Sequence, residues 1–180
     1  MSASIVILGP IGVGKTTLAA GLSRRLSMPR CCVDEVQWAY FPAFGFDHDR
    51  AKELVRRDLP AFLSYSAPVM LMVVERAIHE HPNHVIDLGA GHAAYDDPDQ
   101  VRRFKSLMAS IPNVLLLMPS PDPQVSLDLL PGPSSGMKMN PMFIQHPLKD
   151  EVATKVIYTQ SKQPKEVLEE AIQWINEGDA

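Results

Sequence analysis

Residues Gly9 to Thr17 read GPIGVGKTT and follow directly on the apolar run Ser4-Ile5-Val6-Ile7-Leu8. The segment fits G-x-x-x-x-G-K-[ST], with Gly9, Gly14, Lys15 and Thr16 at the defining positions and Pro10, Ile11, Gly12, Val13 and Thr17 completing it. A short β-branched strand precedes it and a helix-forming run, residues 18–26, follows it. Each part has a physical role. Glycines let the backbone wrap closely around phosphate oxygens, so that successive N–H groups point inward. The helix starting near Gly14 adds unpaired N–H groups and a partial positive charge. Lys15 is placed to bridge the β- and γ-phosphates, and the Thr16 hydroxyl to ligate Mg²⁺. The segment implies binding of a nucleoside triphosphate, ATP with GTP not excluded, together with Mg²⁺.

The rest of the chain alternates short apolar runs with helical patterns. Strands are expected over residues 4–8, 31–34, 84–88, 113–118 and 155–159, with Asp34 and Glu35 at the end of the second. Helices are expected over 15–26, a region of about 50–81, 98–111 and 164–175. Asp97 before Pro98 reads as an N-cap followed by proline at the first helical position. Asp49 reads as the cap of a helix through Leu54 and Val55, interrupted or restarted at Pro60, and Pro68 as the start of another. The run 69–74 is apolar all round, as in a buried helix. Such alternation implies an α/β protein with the three-layer α/β/α phosphate-loop architecture: a five-stranded parallel sheet with helices on both faces. Ligands then bind at the carboxyl ends of the strands. That rim would gather the Gly9–Thr17 loop, Asp34 with Glu35, Asp87, and Gly89, Ala90 and Gly91.

The 180 residues suit one domain. Between Pro119 and Pro141 the pattern changes: residues 124–130 suit a short helix, and PGPSSGMKMNP has no periodicity and many breakers. The span of about 119–145 reads as a lid over the phosphates, with a plain surface loop as the alternative. Lys138 is its one cation. The net charge of −4 gives no electrostatic case for nucleic acid or an anionic membrane as partner. MSASIVILGP has no basic segment and no long apolar stretch, so it does not read as a signal peptide. The run 69–74 is too short to span a bilayer. Cys31 and Cys32 are adjacent and suit buried small hydrophobes rather than a disulfide. A cytoplasmic setting is expected, and the sequence does not fix the oligomeric state.

The loop IGVGKTTLAAGLSRRL, Asp34 at the end of strand two, the segment VIDLGAG at 85–91 and HPLKDEVA at 146–153 followed by a strand and Pro164-Lys165-Glu166-Val167 together resemble the shikimate kinase-like branch of the nucleoside-monophosphate-kinase group. The resemblance implies the fold and ATP use. It also implies acidic residues near Asp34 for Mg²⁺ and the acceptor hydroxyl, and a glycine segment lining the acceptor pocket. Two departures argue against shikimate as the acceptor. Gln145 stands where the family places a carboxylate-gripping arginine, and an amide does not replace a bidentate guanidinium. From Pro119 to Pro147 there is no arginine where the family's lid carries several.

The expected activity is ATP- and Mg²⁺-dependent phosphoryl transfer to a hydroxyl of a small molecule. Lys15 stabilises charge, and either Asp34 or Glu35 accepts the hydroxyl proton. Thr16, Asp34 and Asp87 are the candidate metal-site residues. Asp34, Arg50, Gly89, Ala90, Gly91 and Gln145 are the candidate acceptor contacts. Two alternatives stand beside this reading: a nucleotide-binding regulatory or interaction module with little catalysis, and a nucleoside or nucleotide kinase.

Overall fold

The computed structural model describes residues 4–130 and 139–178. Strand β1 (Ile5–Leu8) leads through the glycine-rich loop into α1 (Lys15–Leu26), and β2 (Arg30–Cys32) passes directly into α2 (Val33–Tyr40). A 3-10 turn at Phe41–Phe44 precedes α3 (His48–Arg57) and α4 (Leu59–Glu80). Then come β3 (Val85–Asp87), α5 (Pro98–Ala109), β4 (Asn113–Met118), α6 (Pro123–Leu129), α7 (Asn140–Gln145), α8 (Leu148–Val152), β5 (Lys155–Tyr158) and α9 (Pro164–Gly178).

The five strands are all parallel, in the order β2-β3-β1-β4-β5. Every residue of β1, β3 and β4 is buried, which is why these runs are apolar along both faces rather than alternating. Right-handed crossovers assign the helices to layers. The β1-to-β2 connection runs one way along the sheet and puts α1 on one face, where it contacts α9. The later connections run the other way and put α4, α5 and α8 on the opposite face, with α5 in contact with both α4 and α8. The structure therefore has the expected three-layer α/β/α arrangement.

Several local expectations change. The second strand ends at Cys32, so Asp34 and Glu35 lie in the first turn of α2 rather than at a strand end. Carboxylates in a first turn complement the helix dipole, so the sequence VDEVQWAY is better accommodated as helix. The cap of α3 is Asp47, which accepts from the Asp49 and Arg50 N–H groups, and not Asp49. Pro60 sits in the first turn of α4, but Pro68 lies inside that helix instead of starting another. Its missing N–H leaves the Ser64 carbonyl without a helical partner, and Ser64 is exposed, so water can serve it. As one continuous 22-residue helix, α4 is long and apolar enough to cross a membrane by length and composition, which the 69–74 run alone is not. In the fold, its Leu71, Val73, Val74 and Ala77 are buried in the core.

Of the span read as a lid, the described flanks are α6 and α7, which contact each other. Residues 131–138, and with them Lys138, lie outside the described residues.

Phe104 on α5 is fully buried against Tyr95, with ring centroids 5.2 Å apart. Asp97 caps the same helix by accepting from the Asp99 and Gln100 N–H groups, as the sequence indicates. Chemical denaturation should therefore rank two variants: Phe104→Ala destabilising by about 3–5 kcal/mol, and Asp97→Ala by about 1 kcal/mol.

Candidate functional site

Parallel register sets the floor of the site. Asp87 ends β3 opposite Ile7 of β1 and Cys32 of β2, directly below the loop that leaves β1. Gly14 caps α1 with φ of 103°, a conformation that costs a Cβ-bearing residue dearly. Thr16 and Thr17 are exposed at the start of α1. Gly9, at the loop's other end, lies close to the Leu117 carbonyl of β4. Lys15 is buried and folded back, its Nζ donating to the Pro10 carbonyl at 2.9 Å. Burial lowers its pKa, opposed by the nearby carboxylates of Asp34 and Asp87 and by Cys32.

Asp87 is only 2% exposed, and its Oδ2 has no hydrogen-bond partner among the described residues. A carboxylate oxygen buried without a partner is costly. The Cys32 thiol beside it is pushed up to about 12, first by burial and then by its hydrogen bond to Asp87, so it stays a neutral donor.

Asp34 is held differently. Its side chain is 57% exposed at the mouth, and Oδ1 lies 3.6 Å from Nδ1 of His92. His92 is 3% exposed and lies in the 3-10 turn Ala90–His92. Its Nδ1 accepts the Gly89 N–H at 3.1 Å, so the proton sits on Nε2, which donates to Gln37 Oε1 at 3.1 Å. Burial lowers the His92 pKa, against the opposing pull of Asp34. A Cβ on Gly89 would stand 2.3 Å from Asp34 Oδ1, so the glycine is the only residue that lets this carboxylate lie against the β3 rim.

A cleft of about 260 Å³ opens beside Asp34, lined by Gly89, Ala90 and Gly91 together with Gln37, Phe62 and Met70. A smaller one of about 120 Å³ lies on the other side of the loop, between Gly14, Thr17 and the β5–α9 connection with Thr159, Lys162 and Pro164. At the loop itself, Asn140 of α7 grips Ile11 from both sides: its Oδ1 accepts the Ile11 N–H at 2.7 Å and its Nδ2 donates to the Ile11 carbonyl at 3.1 Å.

Of the residues expected to converge, Gly9 to Thr17, Asp34, Asp87 and Gly89 to Gly91 meet on one rim. Three do not. Glu35 points away, 72% exposed and 3.7 Å from Arg30, because it is one helical step around from Asp34. Arg50 lies over the Tyr65 ring, 4.6 Å from its centroid, outside the cleft. Gln145 lines separate grooves beside Pro147 instead of facing Asp34. Among the described residues, no three His, Cys, Asp or Glu side chains group to hold a metal. Gln37 and Asn140 are not marked as site residues by the sequence. Asn140 reaches Ile11 across 129 positions, which no local pattern reports. Thr159 and Lys162 follow β5, and the rule that ligands sit at strand carboxyl ends would have found them.

No protein-family model and no curated protein matches the sequence. Solved structures match the fold. Shikimate kinase from Aquifex aeolicus superposes with a TM-score of 0.60 at 21% identity, covering 98% of this chain and 97% of its own. Shikimate kinase from Acinetobacter baumannii in complex with shikimate does so with 0.62 at 16% identity, covering 97% and 93%. A sugar kinase from a Janibacter species gives 0.59 at 17% identity, covering 98% and 95%. The chain thus has the shikimate kinase-like phosphate-loop kinase fold.

Because His92 is buried neutral, the unfolded state binds a proton below pH 6.5 that the folded state resists. Stability is therefore complete above pH 6.5 and declines as pH falls from there through the lower folded value. Denaturation midpoints measured between pH 5 and 7.5 (on the order of physiological range) should show this decline, and His92→Gln should flatten it.

Proposed function

We propose that the protein is a kinase that transfers the γ-phosphoryl group of a nucleoside triphosphate to a hydroxyl of a small molecule. The observation that carries this reading is the placement of Asp34. One carboxylate, with no lysine or arginine among the described residues lining its cleft, stands between a small-molecule-sized cleft and the buried Lys15 and Asp87. Phosphoryl transfer needs little covalent help from a protein; it needs positioning and charge stabilisation.

The phosphates would lie in the glycine-rich loop, where backbone N–H groups at the start of α1 and Lys15 can stabilise the developing γ-phosphoryl charge. Lys15 would release the Pro10 carbonyl to reach it. The base and ribose fit the hollow between Gly14, Thr17 and Lys162. A divalent ion fits Thr16 and the unpartnered oxygen of Asp87, and when bound it neutralises phosphate charge. On the other side, Asp34 takes the proton of the acceptor hydroxyl as its oxygen bonds to the γ-phosphorus. The β–γ bridging bond breaks, and the diphosphate leaves with its electrons. Gly89, which has no Cβ, leaves room for the Asp34 carboxylate at the rim.

One observation favours a second reading, a nucleotide-binding module with little turnover: no arginine occurs between Pro119 and Pro147. A single arginine at the transferring phosphoryl group contributes about 10³–10⁵ in rate in related chemistry.

ATP turnover with Mg²⁺ against a panel of hydroxyl compounds decides between them. Under the kinase reading, Lys15→Ala abolishes turnover, and Asp34→Asn lowers kcat by about 10²–10⁴ while nucleotide affinity holds. Gly89→Ala, which displaces the carboxylate without removing it, should lower kcat with an intermediate effect. Tight nucleotide binding with no phosphorylated acceptor would leave the module reading standing.

A further inference from the structure

The Asp34 cleft continues into a second hollow. A groove of about 380 Å³ shares Gln37, Phe62 and Met70 with it and runs between α2, α3 and the start of α4. Its walls are aromatic: Phe41 stacks on Phe46 at 4.4 Å, and Trp38 stacks on His48 at 5.2 Å. Trp38 is 60% exposed and Val55 is 37% exposed, both lining this groove. Large apolar side chains left open around a concave surface mark a ligand site more than they mark a solvated face.

Charge is distributed to match. Among the described residues lining the Asp34 cleft, Asp34 is the one charged side chain, His92 being neutral. The rest of that cleft is glycine, alanine and apolar surface with Gln37 and Ser66. Among the described residues lining the two hollows, the lysine and arginine side chains are Lys52 and Arg56, both on the far groove. A small hydroxy acid would bring its carboxylate next to Asp34 with no guanidinium among the described lining residues to receive it, a like-charge contact.

We infer that the acceptor is an uncharged aryl alcohol, whose hydroxyl sits at Asp34 and whose planar ring extends past Phe62 and Met70 into the Trp38–Phe41–Phe46 groove. This rests on the kinase reading for the fate of the hydroxyl, but not for the binding of the ring. A planar ring gains stacking contacts on the aromatic wall that a polyol cannot make. A polyol would instead leave several hydroxyls unpaired against apolar surface.

Cinnamyl alcohol is the probe, with gluconate, shikimate and glycerol as polar comparators. Calorimetric titration into the full chain with ATP analogue and Mg²⁺ present should show binding of cinnamyl alcohol alone. Val55→Asp and Trp38→Ala, both at exposed positions, should each weaken it about tenfold or more. In turnover assays cinnamyl alcohol should give the highest kcat/KM of the four. Absence of binding, or binding indifferent to both variants, overturns the inference. Phosphorylation of a polar comparator but not of cinnamyl alcohol also overturns it, and leaves the kinase reading intact. Cinnamyl alcohol bound in a variant-sensitive way, with none of the four phosphorylated, upholds the aryl site and counts against the kinase reading.

Discussion

Parallel pairing of β1, β2 and β3 puts Ile7, Asp87 and Cys32 side by side, and the candidate site is hung from that row. The glycine-rich loop leaves β1 one residue beyond it. Helix α2 leaves β2 from Cys32 itself, which brings Asp34 within one turn of the rim. The Gly89–Gly91 segment leaves β3 beside both. Because all three strands point the same way, their exits converge, and groups separated by some 70 positions in sequence come to share a boundary. Burial of that row then sets the electrostatics. Asp87 and Lys15 sit where water is scarce, so each depends on the other and on whatever binds between them.

The two sides of the site are built from different materials. The loop side is polar: a buried lysine, a buried carboxylate whose Oδ2 has no partner among the described residues, and a two-bond clamp from Asn140 on Ile11. Asn140, at the start of α7, is tied to the glycine-rich loop by these two hydrogen bonds. The Asp34 side is largely apolar among the described residues, with one carboxylate given room by a glycine and lying beside a neutral histidine. An environment of that kind favours a hydroxyl and tolerates little other charge.

Much of this was legible from residue order. Strand–helix alternation and the β-branched runs indicated the parallel sheet, because a strand buried on both faces must be apolar throughout. The loop was legible because its function constrains backbone conformation, which glycine spacing records directly. Asp97 was legible because capping is a contact between near neighbours. Asp34 was placed in the right neighbourhood on the wrong element: a three-residue strand running straight into a helix has no punctuation between them. Pro68 was misread because proline usually opens or breaks a helix, and only the exposure of Ser64 shows why this one is tolerated.

The sequence by itself determined the sheet, the phosphate loop and the carboxylates near it, since these follow from periodicity and from motifs whose parts are local. Only the tertiary structure decided which of Asp34 and Glu35 faces the cleft, since neighbouring helical positions point about 100° apart and the choice depends on where α2 docks. It also placed Arg50 and Gln145 away from the Asp34 cleft and set an aromatic groove beside that cleft. Those outcomes depend on how α2, α3 and α4 pack against one another, a set of contacts between distant residues that no stretch of the chain records.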